Sequence, residues 1–375
     1  MRIWEGFQHG INFGGWLSQG EHSDKHYETF LTETDFAVAA RWGLDHVRIP
    51  VDYELVETEG GIQKESGFQW IAQCITWCRK YGLHMILDLH KTAGYTFDDP
   101  IHSDEFFTNP ALQARFISLW QEFAKRYGKD HDVVAFELLN EIVNAESAES
   151  WNRIAANAVA AIRSVAQKNY ILIGGIHHNG ADGVPLLDAP TDSRIVYNFH
   201  CYEPIVFTHQ TASWAKGMPR NFHIKYPDDL AAYRRHSAAF NKQYIKAFLH
   251  EGIQDVEASF FEANFAPAIA AAEKYDIPLY CGEYGVIDQA DTESTLHWYR
   301  TITSVFDKYH IGRAAWTYKG MNFGLTDSHM NPILPGTAPI VSKSYQVKLF
   351  CPLKCRQGSF LFPRKCTLYK RKFVV

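Results

Sequence analysis

A chain of 375 residues with 46% hydrophobic and 14% aromatic content has material for a large buried core, which excludes a disordered or fibrous protein. Its 37 Lys and Arg against 42 Asp and Glu give a net charge of −5, whereas a surface that follows nucleic acid needs a basic excess. Neither a long apolar run nor an apolar segment after the first Arg of MRIWEGFQHG is present, so no membrane span or export signal is read; a cytoplasmic location is expected unless a leader was removed.

Short β-rich apolar runs recur along the chain. In order they are GINFGG (10–15), LDHVRIP (44–50), HMILDLH (84–90), VVAFELLNE (133–141), YILIGG (170–175), IVYNFHCY (195–202), IPLYCGEYG (277–285) and GRAAWTY (312–318). Near-continuous apolar runs suit strands covered on both faces, as in a parallel sheet. Helical patterns fill the gaps. The stretch 65–81 sets Phe68, Ile71, Ala72, Ile75 and Cys78 on one stripe and stops at Gly82, and 109–127, 149–166, 262–275 and 291–309 read similarly. Eight alternations without a Gly/Ser/Pro-rich linker predict an α/β chain forming one (β/α)8 TIM barrel over residues 1–340. No glycine-rich phosphate loop follows any strand, so no nucleotide cofactor is expected. Between strands six and seven, 203–276 is about twice as long as the other connections. Residues 203–262 are expected to form an inserted subdomain or lid at the C-terminal rim, between strand six and helix six.

Residues 341–375 break the pattern. They hold six Lys, three Arg, no acid and the cysteines Cys351, Cys355 and Cys366, so this segment is +9 and the rest of the chain −14. The abrupt change reads as a chain end outside the fold, in preference to a basic interaction tail with a C-x3-C metal site. Cys74, Cys78, Cys201 and Cys281 sit in apolar runs and are expected to be reduced core residues.

The predicted strands finish in Arg48, His90, Asn140 with Glu141, His200 with Tyr202, Glu283 and Trp316. Any one of these is compatible with a satisfied buried polar group, but a set collected at the C-terminal strand ends of a barrel reads as catalytic. The surrounding motifs HVRIP, LDLH, FELLNE, YNFHCYEP, YCGEYG and AAWTYKGMNFGL resemble glycoside hydrolase family 5, and especially its clostridial endoglucanase C-like branch, which also carries an insert after strand six. Residues 341 onward depart from that family's last helix. The resemblance implies a retaining β-glycanase with Glu141 as acid/base, Glu283 as nucleophile, and Arg48, His90, Asn140, His200, Tyr202 and Trp316 completing the site.

Such chemistry needs two carboxyls in different protonation states, one to protonate the leaving oxygen and one to attack an oxocarbenium-like centre. Two charges about 5 Å apart at an effective dielectric near 20 repel by about 3 kcal/mol, so both do not easily ionise together. Arg48 and the Tyr202 hydroxyl beside Glu283 would keep it charged and leave Glu141 protonated. Asn140 would hold the sugar 2-hydroxyl, and Trp316 would offer a flat face to a pyranose. Trp16 and Phe207 are further platform candidates, with Tyr95 and Trp214 beside them.

The expected substrate is a β-1,4 or mixed β-1,3/1,4-glucan cut internally by a monomer without cofactor or metal. Exo-β-1,3-glucan or β-mannan hydrolysis is the alternative. Two rivals come from other classes. A metal-dependent barrel hydrolase would draw on the 18 His, including His177 and His178, yet no H-x-H ends an early strand. A noncatalytic glycan-binding barrel would be free to lose a glutamate, and both are retained.

Overall fold

The computed structural model describes residues 1–98 and 105–330, so the basic tail with its three cysteines lies outside the described residues. Eight parallel strands close a barrel in chain order: β1 (His9–Asn12), β2 (His46–Asp52), β3 (His84–Lys91), β4 (Val134–Glu137), β5 (Ile171–Gly174), β6 (Ile195–Cys201), β7 (Leu279–Tyr284) and β8 (Gly312–Ala315). β8 pairs back onto β1 through Gly10–Ala314 and Ile11–Ala315. Around it run helices α1 (Glu33–Arg41), α2 (Glu65–Tyr81), α3 (Pro110–Tyr127), α4 (Ala148–Arg163), α5 (Leu230–Phe240), α6 (Ala258–Tyr275) and α7 (Thr292–Tyr309).

All eight predicted strands and all five predicted helices are present. Local chemistry explains the helix ends. Pro110 opens α3 behind Asn109, whose side chain accepts from the Ala111 N–H. Gly82 closes α2 at φ 69°, a left-handed position that lets its N–H reach back to the helix carbonyls. Between β5 and β6 only short turns occur, Ile176–Asn179 and Ala181–Leu186. The stretch 203–257 carries a one-turn helix (Ile205–Thr208), α5 and the turn Tyr244–Phe248. Its Val206, Phe207, Tyr226, Tyr233 and Phe248 join the same hydrophobic cluster as the outer barrel wall. Cys74, Cys78, Cys201 and Cys281 are buried free thiols. Among the described residues no helix is long and apolar enough to cross a membrane.

Strand alternation sorts the barrel interior into layers. Odd positions such as Val47, Ile49, Met85, Leu87, Tyr197 and Phe199 face the helices. The alternate positions face inward: Ile86, Val196, Tyr280 and Ala314, together with Ala135 on β4, where the inward phase falls on odd numbers, form a separate apolar plug with Trp4 and Phe7. Two residues further along, the inward set becomes Asn12, Arg48, Asp88, Glu137 and Asn198, all fully buried. That polar layer is the floor of the site.

Candidate active site

Arg48 is the hub of the floor. Its guanidinium forks onto Glu137 through Nε–Oε2 at 2.7 Å and Nη2–Oε1 at 2.8 Å, and it lies 2.9 Å from Asp88 Oδ2. From the same group Nη1 donates to Asn12 Oδ1 at 2.9 Å and to Glu283 Oε1 at 2.8 Å, and Nη2 donates to Asn140 Oδ1 at 3.0 Å. Burial works against the charged guanidinium, but Asp88, Glu137 and Glu283 outweigh it and hold Arg48 ionised. Glu137 is pushed above its ordinary value by burial and by the neighbouring Asp88, against the pull of Arg48. One cation thus fixes three acids in a dry interior, where breaking the set leaves uncompensated charge.

Glu283 reaches the mouth because β7 changes its phase. Phe199 pairs with Cys281 but His200 pairs with Glu283, so Gly282 is skipped. Inward alternation runs through Tyr280 up to that bulge and resumes at Glu283, while Tyr284 turns out onto Trp298, Tyr299 and Phe306. Only glycine fits at the bulge: a Cβ there would sit 2.8 Å from Asn198 Oδ1 and 2.9 Å from His200 Nε2. The carboxylate is gripped from both sides, by Arg48 and by the Tyr202 hydroxyl, which donates to Oε2 at 2.8 Å.

Glu141 stands opposite, beyond the end of β4. The Tyr95 hydroxyl donates to its carbonyl and receives the Val143 N–H at 3.1 Å, which pins the loop. His200 Nδ1 lies 2.9 Å from Glu141 Oε1 and 3.7 Å from Glu283 Oε2, and His178 Nδ1 lies 3.4 Å from Glu141 Oε2. Burial raises the Glu141 pKa, but the hydrogen bonds from His178 and His200 overcome this and hold the carboxyl well below the usual range. Hydrogen bonding to Glu141 raises His178 in turn. The expectation that Arg48 and the Tyr202 hydroxyl beside Glu283 would leave Glu141 protonated is therefore corrected: both do grip Glu283, but the hydrogen bonds from His178 and His200 favour the ionised form of Glu141. A general acid at this position has to gain a proton first.

The remaining candidates divide cleanly. Trp316 and His90 stack in parallel at 5.8 Å and 5°, with His90 Nδ1 2.7 Å from Asp88 and the Trp316 ring lying against Gly14, where a Cβ would come within 2.6 Å of it. Asn140 spends its carbonyl oxygen on Arg48 and so keeps its amide N–H for a ligand. Trp16 and Phe207, by contrast, are not platforms. Trp16 is fully buried, stacks on Trp77 and donates its indole N–H to the Tyr27 carbonyl. Phe207 is fully buried against Tyr226. Tyr95 is a prop for the Glu141 loop. Sequence reasoning also passed over Glu137, Asp88, Asn12 and Asn198 as site residues, although an acid inside an apolar strand was a readable signal in LDLH and AFELL. His178, noted only as half of a His pair, sits on Glu141 because His177, His178 and Asn179 all take left-handed backbone angles.

Among the described residues, two clusters bring three metal-type ligand atoms within 4.8 Å of one another: Glu141–His200–Glu283 and His22–Asp52–Glu54. In the first, the same atoms already satisfy one another or Arg48 and Tyr202; in the second, Lys91 Nζ stands 3.2 Å from Asp52.

Two glutamates facing each other over a buried arginine, at the C-terminal mouth of a (β/α)8 barrel, belong to enzymes that cut glycosidic bonds. The pattern of the cellulase family, glycosyl hydrolase family 5, matches residues 9–322. The chain is a member of that family and an O-glycosyl hydrolase. It is 42% identical over 304 residues to cellodextrinase A of Ruminococcus flavefaciens, covering 81% of this chain and 83% of the relative. With endoglucanase C of Acetivibrio thermocellus it shares 38% over 333 residues, covering 87% and 95%. In fold it is similar to Thermotoga maritima Cel5A, solved with cellobiose, at TM-score 0.70 and 23% identity over 89% of this chain and 97% of that one.

Proposed function

We propose that the enzyme is a retaining endo-β-glucanase acting on β-1,4 and mixed β-1,3/1,4-glucans, with Glu283 as nucleophile and Glu141 as acid/base. The observation that carries this reading is the spacing of the pair: a Glu141 and a Glu283 oxygen lie within 4.8 Å of each other, with His200 between. Retaining pairs stand about 5–5.5 Å apart, whereas inverting pairs need about 6.5–9.5 Å to admit a water.

Glu283, its charge held by Arg48 and Tyr202, attacks the anomeric carbon and forms a glycosyl ester. The leaving oxygen takes a proton through Glu141. Esterification cancels the Glu283 charge; Glu141, now ionised, draws a proton from water, which attacks the ester with a second inversion. Asn140 holds the 2-hydroxyl, whose hydrogen bond strengthens as charge develops. Trp316, backed by His90, supports the apolar face of the sugar. The β-1,4 preference is supported by the relatives' names, cellodextrinase and endoglucanase.

The test is product analysis on cellulose, lichenan, laminarin and mannan, with the first-formed anomer followed by proton NMR. Initial β-anomers and internal cleavage of lichenan support the reading. An initial α-anomer, or turnover of laminarin or mannan alone, refutes it.

A further inference from the structure

His178 and Glu141 meet through two rim loops that are built against each other. The His178 N–H donates to the carbonyl of Ile142, the residue after Glu141, at 2.9 Å. Asn179 folds back so that its side-chain oxygen accepts the Gly175 N–H at 2.9 Å, and Gly180 bridges to His200 in parallel register. His177, His178 and Asn179 carry φ of 61°, 54° and 56°, a left-handed backbone that side chains other than Asn, Asp and His rarely adopt. Such a turn persists only where its surroundings over-determine it. Here they do, and the result is that the His178 imidazole is aimed at one carboxylate.

Water reaches one member of this pair far more than the other. The His178 side chain is 60% exposed and the Glu141 side chain 12%. His200, the second imidazole on Glu141, offers no such path: its side chain is 2% exposed, and its Nε2, which stands over Gly282, has no hydrogen-bond partner among the described residues. The other titratable groups around the pair are Tyr202 and Glu203 just past β6, His209 beyond them, and Glu283 on β7. Asp182 is engaged by His177 at 3.0 Å. Burial pushes the Tyr202 hydroxyl up and brings His209 down to about 4, so neither carries charge near neutral pH. The hydrogen bond and charge of Glu141, with Glu203 adding to them, outweigh burial and raise His178 above its ordinary 6.5.

We infer that His178 is the proton carrier of the acid/base, a positioning residue that holds the working proton at the rim and hands it to Glu141 when a sugar chain covers the pair. The inference rests on the glucanase reading above, in which Glu141 protonates the leaving oxygen. In the open site an imidazolium faces a carboxylate at 3.4 Å, and acid/base contacts of this length tighten when substrate closes over them. Covering strips water from both charges and favours the neutral pair. The Nδ1–H bond breaks, an O–H bond forms on Glu141 Oε2, and imidazolium and carboxylate become imidazole and carboxylic acid. Glu141 passes that proton to the leaving oxygen. In the second half of the reaction the proton drawn from the attacking water onto Glu141 returns to His178, so each turnover takes one proton from the pair and restores one.

The experiment measures kcat/KM against pH for the wild type and His178→Asn, a replacement that accepts the left-handed backbone and does not titrate. Two groups share one proton, so the alkaline limb on cellohexaose follows its release from the pair and is expected above 6.5 in the wild type. In His178→Asn the limb reports Glu141 without its carrier and should move about one to two pH units lower. An aryl β-cellobioside whose leaving group needs no proton should show no such limb in either protein. A limb on cellohexaose that His178→Asn leaves in place overturns the inference, as does an equal loss on both substrates at every pH, which marks a merely structural residue. A second measurement needs no variant at 178: by NMR the His178 imidazole should titrate at lower pH in Glu141→Gln than in the wild type, and an unchanged titration overturns the inference as well. Hydrolysis of neither substrate by the wild type would instead overturn the glucanase reading, and the carrier with it.

Discussion

Replacing Arg48 by Met tests whether one cation organises the floor of the site. The side chain is fully buried and meets Asp88, Glu137 and Glu283 at 2.9, 2.7 and 2.8 Å. Removing one partner of a buried pair costs about 3–5 kcal/mol, because the other charge stays dry and unpaired; against a total stability of about 5–15 kcal/mol this is a large fraction. At about 2 °C per kcal/mol, the low end of the usual range and suited to a barrel this large, Tm should fall by roughly 6–10 °C. The loss must also depend on pH. Glu137 already holds its proton above the ordinary 4.5, so folding takes up a proton there. That contribution is fully present below about 4.5 and is lost as pH rises through the raised value. Without Arg48 the raised value climbs further, so Arg48→Met should approach wild-type stability near pH 4 and fall away from it toward pH 8. Thermal melts of both proteins across that range provide the measurement. A Tm gap that is constant with pH, or a variant as stable as wild type at pH 8, would refute the claim that Arg48 acts by charge. Arg48→Lys keeps the charge but not the fork and should fall between the two.

Glu141→Ala should lower kcat/KM on cellooligosaccharides by about 10²–10⁴-fold, and far less on an aryl glycoside whose leaving group needs no proton; equal losses would contradict the acid role. Tyr202→Phe removes one charge-assisted hydrogen bond to Glu283, worth about 1.5–3 kcal/mol, so kcat should fall about 10–100-fold while Tm barely moves. Gly282→Ala puts a methyl against Asn198 and His200, and the resulting shift of Glu283 should cost on the order of 100-fold in kcat with substrate binding largely kept, as steady-state kinetics would show.

Strand identity was readable because both faces of each strand are covered, which leaves an uninterrupted apolar run such as HMILDL. His90, Asn140, Glu141, His200, Tyr202, Glu283 and Trp316 stood out for the same reason, since each ends or follows such a run, whereas Arg48 stood out as a charge that the structure places inside β2, four residues before its end. Aromatic residues away from the strand ends carried no comparable signal. Trp16 and Phe207 lie in rim segments just as Trp214 does, and only packing tells that the first two are core. The phase change at Gly282 was equally hidden, since a bulge depends on what the neighbouring strand pairs with and not on the residue skipped. The charge state of Glu141 depends on His178, 37 positions away and brought in by three left-handed residues whose sequence does not announce them.

Asn12 joins the first and last strands: its amide reaches the carbonyls of Gly282, Ala314 and Ala315, while Arg48 holds its oxygen. The cleft is therefore finished only when β8 arrives beside β1. During synthesis from the N-terminus, a nascent chain that already holds both glutamates still lacks the clasp that seats them. A chain that ends before β8 is therefore expected to hydrolyse nothing.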